Sequence, residues 1–265
     1  MQMHDVQSTP TPLAGVVAVT ARSSRSFARH THDQFGIGLV DAGAQVSASG
    51  RGPVEVGAGD LITVNPGEVH DGRPVDAQGR TWRMVYLDPE FLAGITGQSG
   101  DFAFPVLRKT GLADSFRRLF HALTHAPCRL AVECELVTLT RALDDLPRRP
   151  LRPGPVSRAV QALRDDPAQP ATLAGLAGLS GLSRFHFLRS FARATGLTPH
   201  AFQIQARLHL ARRLILAGQP LAAVAAEAGF ADQSHLTRLF SRSYGMTPGI
   251  YGRNFVQDPE GGHRG

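Results

Sequence analysis

The sequence predicts an α+β protein of two domains, an N-terminal β-barrel followed by helices and a C-terminal all-α domain with two helix-turn-helix units. Three observations indicate this arrangement. Short strand-like segments separated by glycine fill residues 15–90, a proline-rich stretch interrupts the chain at 147–155, and residues 183–199 repeat at 232–248. A chain of 265 residues with 42% hydrophobic content is long and apolar enough for two separate cores.

Charge is distributed unevenly along the chain. Residues 1–154 contain 16 Lys plus Arg and 16 Asp plus Glu, whereas residues 155–265 contain 12 and 6, so the net charge of +6 lies in the C-terminal part. This asymmetry is typical of a nucleic-acid-binding domain joined to a neutral domain. The first residues lack the basic and apolar regions of a signal peptide, and no apolar run approaches the ~18 residues that span a bilayer. We therefore expect a cytoplasmic chain without membrane contact.

The N-terminal half contains five segments with the composition of strands, each bounded by turn residues. They are residues 15–20, 35–40, 44–49, 60–64 and 81–87. Their close spacing favours a small β-sandwich or jelly-roll barrel. The first 14 residues have two interpretations, an arm over the barrel or a disordered tail.

Histidines mark two of the turns of this barrel. His30 and His32 are two residues apart, and His70 ends the segment that begins at Asn65. Three imidazoles can hold a transition metal, and both segments resemble the two motifs of the cupin fold. Cupin enzymes also use a Glu shortly after the first pair of histidines, and residues 33–37 contain none. We therefore expect no metal, no cofactor and no catalytic residue, with a metal-dependent cupin enzyme as the alternative.

A small-molecule pocket is predicted from the inward positions of the strands. The expected ligand-binding residues are His32, Ile37, His70, Trp82 and Met84. Trp82 and Met84 are two residues apart and share a sheet face, and the single tryptophan offers a flat apolar wall with one N–H. A core position is the alternative for Trp82.

Two helices are predicted after the barrel, at residues 111–125 and 129–146. The second has Leu136, Leu139 and Leu143 at helical spacing. These leucines are expected to pack either against the barrel or against another subunit.

The repeat in the C-terminal half has an offset of 49 residues and predicts a pair of capped helices. Ser183 and Asp232 are N-cap residue types, while Gly196 and Gly245 suit the left-handed position after a helix. An Ala- and Leu-rich segment with the composition of a short helix precedes each copy. A short helix, a tight turn and a second capped helix form a helix-turn-helix unit, whose second helix enters the DNA major groove.

The outer face of each second helix carries residue types that suit base reading. These residues are Arg184, Phe185, Leu188 and Arg189 in the first unit, and Gln233, Ser234, Thr237 and Arg238 in the second. Arginine can pair with guanine and glutamine with adenine, and apolar groups can contact the thymine methyl. A merely solvated face is the alternative. Arg193 and Arg242 recur in the last turns, where they interact either with phosphate or with the helix dipole.

Residues ~155–253 resemble the DNA-binding domain of the AraC/XylS family of bacterial transcription regulators, most closely over 225–248 and at Tyr251 and Arg253. In that family a long helix, here from Pro199 to about Ala217, joins the two units, and both recognition helices enter successive major grooves. The N-terminal half resembles, more loosely, the ligand-binding and dimerisation domain of such regulators.

The resemblance implies a division of the chain and a function. The expected domains are a cupin-like effector-binding and dimerisation domain (1–146), a linker (147–155), an AraC-type DNA-binding domain (156–255) and a tail (256–265). The expected function is that of an effector-responsive activator and not of an enzyme. Its expected partners are double-stranded DNA, a small-molecule effector, RNA polymerase and a second copy in a homodimer. An effector-independent DNA-binding protein is another alternative.

Overall fold

The computed structural model describes residues 4–9, 11–96, 100–125, 128–144, 148–149 and 154–255. The strands are β1 (His4–Thr9), β2 (Val16–Ser23), β3 (Phe27–His30), β4 (Phe35–Ser49), β5 (Gly52–Gly57), β6 (Leu61–Val64), β7 (His70–Pro74), β8 (Arg80–Leu87), β9 (Asp101–Phe102), β10 (Val106–Leu107) and β11 (Arg148–Arg149). The helices are α1 (Pro89–Thr96), α2 (Leu112–Thr124), α3 (Arg129–Asp144), α4 (Ser157–Asp165), α5 (Leu173–Leu179), α6 (Arg184–Thr195), α7 (Pro199–Leu216), α8 (Leu221–Glu227), α9 (Gln233–Tyr244) and α10 (Pro248–Phe255).

The N-terminal strands form two antiparallel layers that share β4. The first layer has the strand order β1-β2-β8-β4-β6-β10, and in the second β5 and β7 flank β4 while β3 pairs with β7. The register between β4 and β8 shifts between Val40 and Ala42, and from Ala44 onward β4 pairs with β5 and, from Gln45, with β7. An irregularity of this kind bends a strand, so β4 leaves one layer and enters the other. The two layers enclose a space between them.

The outer face of the first layer packs against α2 and α3. Ile37 and Leu39 of β4 and Val85 of β8 are fully buried in one core with Phe116 of α2 and Leu136 of α3. Burial of each side chain of this size contributes roughly 1.5–3 kcal/mol relative to exposure. Successive strand residues point to opposite faces, so the residues between these face the enclosed space.

Helices α2 and α3 confirm the helices predicted at 111–125 and 129–146, to within two residues at each end. Leu136 and Leu139 of α3 are fully buried in the core of their own barrel. Of the two environments predicted for these leucines, the structure shows packing against the barrel. The side chain of Leu143 lies outside the described residues.

The C-terminal helices form two helix-turn-helix units, α5 with α6 and α8 with α9, each with its own core. Phe187 and Phe191 of α6 are fully buried in the first, and Leu236 and Phe240 of α9 in the second. Helix α7 joins the units and begins at Pro199, as predicted. The repeated helices thus present the same face to two successive cores.

Several strands differ from the prediction. Residues 35–40 and 44–49 belong to one 15-residue strand, β4, and not to two. The first residues described, 4–9, form a strand that pairs with β2, so they are not a disordered tail. Val6 of this strand faces the space between the layers, which fits the interpretation of this segment as an arm. Strands β3, β5 and β7 were not predicted, because their sequences are rich in charged, small or proline residues.

Part of the predicted linker is described. Arg148 and Arg149 pair with Phe102 and Asp101 in a small two-stranded sheet, and α4 begins at Ser157. Residues 147 and 150–153, and the predicted tail 256–265, lie outside the described residues. Across the described ranges, the helices fall short of the combination of length and hydropathy needed to cross a bilayer.

Candidate DNA interface and effector cavity

The helices α6 and α9 have the ends that their sequences predict. The side chain of Ser183 accepts a hydrogen bond from the backbone N of His186, and that of Asp232 accepts one from His235 at 2.7 Å. Gly196 follows α6 and Gly245 follows α9, both at φ +75°. Glycine tolerates this left-handed conformation because it has no Cβ. The repeat therefore encodes two helices with equivalent caps.

The predicted base-reading residues of α6 all lie on its exposed face. Arg184, Phe185, Leu188 and Arg189 are exposed, and 65% of Phe185 is accessible to solvent. The guanidinium of Arg189 lies 5.7 Å from the centre of the Phe185 ring. A cation–π contact at an exposed site contributes about 0.5–1 kcal/mol.

The equivalent face of α9 is more polar. Gln233, Ser234 and Arg238 are exposed, and Thr237 is half-buried. Arg242 in the last turn is also exposed, like Arg193 in α6. Each second helix therefore exposes hydrogen-bonding side chains along one face and an arginine in its last turn. The face of α6 also exposes two apolar side chains.

A cavity of about 150 Å³ lies between the two β layers. Four of the five residues predicted to bind a ligand line it, namely His32, His70, Trp82 and Met84. Val17, Val19, Val56 and Ile62 add to its apolar wall. The cavity wall is mainly apolar and contains a few polar side chains, which is the usual composition of small-molecule sites.

Ile37 does not line the cavity, and its predicted ligand-binding role is wrong. It is fully buried in the core between the first layer and the helices. The inward positions of β4 belong to Gly36 and Gly38, on which Met84 and Tyr86 of β8 pack. A Cβ on Gly38 would lie 2.8 Å from the carbonyl oxygen of Arg83, so only glycine fits.

Arg80 is a buried cation in the cavity wall, with 2% of its surface exposed. Its guanidinium lies 4.8 Å from the ring centre of Trp82 and 5.2 Å from that of Phe27. It donates hydrogen bonds to the side chain of Gln45 at 2.8 Å and to the carbonyl of Arg25 at 2.7 Å. Burial lowers the pKa of Arg80 to about 10, so the side chain remains charged at neutral pH. Trp82 thus serves as a wall of the cavity and as a platform for this cation.

The three histidines come together in the same cavity. The ring centres of His30 and His70 are 4.5 Å apart, and that of His32 lies 5.1 and 5.2 Å from them. Burial lowers the pKa of His30 to about 3 and that of His70 to about 4, and it also holds the pKa of His32 well below 6.5. The cluster is therefore neutral at physiological pH.

The second helix-turn-helix unit closes one side of the cavity. Tyr244, Met246 and Tyr251 from this unit line it together with the barrel residues. The ring of Tyr244 lies 6.2 Å from that of His32, and its buried hydroxyl has no hydrogen-bond partner within the described part of the chain. The cavity is thus shared by both domains.

An ion pair and hydrogen bonds between α7 and the barrel hold the two domains together beside the cavity. Arg212 of α7 donates hydrogen bonds to both carboxylate oxygens of Asp33, at 3.1 and 3.0 Å. His209 lies 3.0 Å from the carbonyl oxygen of Thr31. Burial alone raises the pKa of Asp33, but the positive charge of Arg212 outweighs burial and holds that pKa below its ordinary value. The ion pair is therefore intact at neutral pH.

Several residues of the site were missed in the sequence. Arg80 and Tyr86 follow the same two-residue alternation as Trp82 and Met84, so the period alone marks them as inward-facing. Tyr244 and Tyr251 carried no such signal, because their contact with the cavity depends on how the domains dock.

Two family models match the chain. Residues 13–140 match an AraC-like ligand binding domain, and residues 176–254 match a helix-turn-helix domain. The solved structure of ToxT from Vibrio cholerae strain SCE256 has the same fold, with a TM-score of 0.59 at 10% identity over 96% of both chains.

Two relatives match most of the chain. The "Uncharacterized HTH-type transcriptional regulator YbfI" of Bacillus subtilis (strain 168) is 29% identical over 226 residues, 80% of this chain and 82% of the relative. The MmsAB operon regulatory protein of Pseudomonas aeruginosa is 30% identical over 217 residues, 78% of this chain and 69% of the relative. The chain is an AraC-family DNA-binding transcriptional regulator with a ligand-binding domain, and so belongs to a family of regulators and not of enzymes.

Proposed function

We propose that α6 and α9 read bases in adjacent major grooves of double-stranded DNA. The residues proposed to contact DNA are Arg184, Phe185, Leu188, Arg189, Gln233, Ser234, Thr237 and Arg238. Their exposure on two identically capped helices supports the proposal. The helical domain also carries the positive charge of the chain, which favours binding to phosphate.

We further propose that a small effector binds in the cavity and controls the DNA-binding domain. The observation that carries this proposal is the shared lining, because Tyr244, Met246 and Tyr251 of the second unit face the same space as His32 and Trp82. An effector that contacts both domains has different affinities for docked and undocked states, as coupling requires. The solved ToxT structure is that of the protein bound to an unsaturated fatty acid.

The regulator is proposed to act as a cytoplasmic homodimer and as an activator in contact with RNA polymerase. The second copy is proposed because the N-terminal half resembles the ligand-binding and dimerisation domain of such regulators. Both the sign of regulation and the contact with the polymerase follow the general behaviour of the family that the sequence resembles.

Selection of genomic fragments by the purified full-length chain, at stated salt, tests the DNA-binding proposal. We expect enriched fragments to share two short conserved blocks about one helical turn, or roughly 10–10.5 base pairs, apart. The absence of any common sequence at moderate salt would contradict the assignment of α6 and α9 as base readers.

Arginine variants then separate base reading from phosphate binding. Arg189→Ala and Arg238→Ala are each expected to cost about 1–3 kcal/mol at a cognate site and to relax specificity at one base. Arg193→Ala and Arg242→Ala are the matched controls, since they change exposed arginines of the same helices. We expect them to weaken binding equally on all sequences. A uniform loss with Arg189→Ala or Arg238→Ala would assign those residues to phosphate as well.

A further inference from the structure

The histidine cluster has the geometry of a metal site. The candidate ligand atoms of His30, His32 and His70 all lie within 4.8 Å of one another. His30 ends β3 and His70 begins β7, and the two residues are directly paired across these strands. The sheet therefore fixes two of the three imidazoles, and His32 follows two residues later in the chain.

Hydrogen bonds orient two of these imidazoles for metal binding. The Nδ1 atom of His30 lies 2.7 Å from the carbonyl oxygen of Ala28, and that of His70 lies 3.0 Å from the carbonyl oxygen of Glu68. A carbonyl can only accept, so each Nδ1 carries the proton and donates it. Nε2 of each ring is then left with a free lone pair. Histidine ligands of metal ions commonly have this backbone partner at the other nitrogen.

The carboxylates nearest in sequence are engaged elsewhere. Glu68 accepts a hydrogen bond from Arg51 at 2.7 Å, in an ion pair whose two side chains are less than a tenth exposed. Asp71 accepts one from a backbone N–H at 2.8 Å, and Asp33, which directly follows His32, is held in the ion pair with Arg212. The site is therefore composed of nitrogen ligands, which suit Zn²⁺, Ni²⁺ or Cu²⁺ and not Mg²⁺ or Ca²⁺.

We propose that His30, His32 and His70 bind one divalent transition-metal ion, and that this ion is the effector or the anchor of the effector. Three protein ligands leave a coordination position open, as in zinc sites that accept water or a small ligand. That position is proposed to face the cavity, which the buried hydroxyl of Tyr244 also lines from the DNA-binding domain. The role as effector rests on the proposed function, whereas the binding of the ion does not.

Titration of the chelator-treated full-length protein with Zn²⁺, by calorimetry and by equilibrium dialysis, tests the site. We expect one ion per chain, with no comparable binding of Mg²⁺. Titration with Co²⁺ should give the strong visible absorption of a four-coordinate ion without a thiolate charge-transfer band. A wild-type protein that binds no stoichiometric Zn²⁺ would overturn the proposal without any variant.

Histidine variants locate the ion. His32→Gln and His70→Gln are each expected to weaken Zn²⁺ binding at least about 100-fold, since loss of even an outer hydrogen-bond partner of a ligand costs about 10- to 100-fold. The control is His121→Gln. His121 and His125 are exposed on and just after α2 with ring centres 4.9 Å apart, so they are the competing surface site. Loss of binding with His121→Gln, and not with His32→Gln, would overturn the proposal. Circular dichroism verifies that each variant is folded.

The DNA assay separates this proposal from the previous one. If Zn²⁺ binds and the fragments show no common sequence, the proposed base reading by α6 and α9 fails and the metal site stands. If specific DNA binding is intact and Zn²⁺ does not bind, only the metal site fails. A change in specific DNA affinity on addition of Zn²⁺, absent in His32→Gln, would assign the ion as effector.

Discussion

The two arginines of the cavity wall differ in their partners, and this difference determines the electrostatic potential inside the cavity. Arg51 is neutralised by Glu68 at 2.7 Å. Arg80, in contrast, donates to the neutral oxygens of Gln45 and Arg25 in the bonds observed. Its positive charge therefore extends into the cavity with less compensation. A metal ion at the histidines would add to this field, so an anionic donor is the ligand expected at the open coordination position.

The histidine cluster predicts an acid dependence of stability. Burial lowers the pKa of His30 to about 3 and that of His70 to about 4 from 6.5. Between those values and pH 6.5 the unfolded chain binds more protons than the folded chain, so the free energy of unfolding falls as pH falls. This contribution is complete above about pH 6.5 and is lost towards pH 4 and then 3.

Urea unfolding with chelator present, at several pH values from 7 to 5, measures this effect. The unfolding midpoint is expected to fall with acid, and His30→Gln should make the fall shallower because one buried imidazole is removed. His121→Gln, which changes an exposed ring on α2, should leave the slope as in the wild type. An unchanged slope in His30→Gln would show that the cluster does not set the acid dependence.

Of the five residues predicted to line a pocket, four lie in the cavity wall, and Ile37 is the exception. His32, His70 and Trp82 have side chains whose chemistry marks them as unusual in a barrel strand. Ile37 has no such mark, and an isoleucine suits either face of a strand equally well. The clue to its true side was its neighbours, since Gly36 and Gly38 leave room for Met84 and Tyr86 on the inner face.

The repeated helices depend on caps that the sequence displays directly. Asp232 accepts from the N of His235 at 2.7 Å, whereas the equivalent bond of Ser183 is 3.4 Å long. Asp232→Ala is expected to cost about 1 kcal/mol of stability, because it leaves orphan N–H groups at the start of α9. Asp232→Asn is the matched control, since it keeps the acceptor oxygen and should be nearly neutral. Chemical unfolding of both variants measures the difference, and equal losses would contradict a capping role.

Elements with local signals were predicted, and elements without them were not. The helices α6, α7 and α9 each begin after a side chain that caps the first turn and are each followed by a glycine within two residues, so their sequences define both ends. The strands β3, β5 and β7 are stabilised by pairing with distant parts of the chain. Their partners, and the bend that carries β4 between layers, are tertiary features that a local pattern does not encode.

The whole molecule is organised by the docking of the helical domain on the barrel. Helix α7 supplies Gln205, His209 and Arg212 to the barrel turn at Thr31 and Asp33. Strand β1 adds to the same interface, since Val6 packs against the core of the second unit and lines the cavity. The sequence identified both domains, but their relative placement depends on contacts between residues about 180 positions apart.

The ion pair between Asp33 and Arg212 is expected to control this docking. Arg212 is 4% and Asp33 21% exposed, so Asp33→Asn removes a charge partner of a buried cation. Hydrogen bonds to charged groups contribute about 1.5–3 kcal/mol. Their loss is therefore expected to raise the rate of amide hydrogen exchange roughly 10- to 100-fold at α9 and β1, which lie at the interface between the domains. The control is Asp41→Asn, which breaks an ion pair with Arg83 that lies within the N-terminal domain. If Asp33→Asn leaves hydrogen exchange at α9 unchanged, the ion pair does not control docking. Apolar contacts, including those of Val6 and Met246, would then hold the domains together.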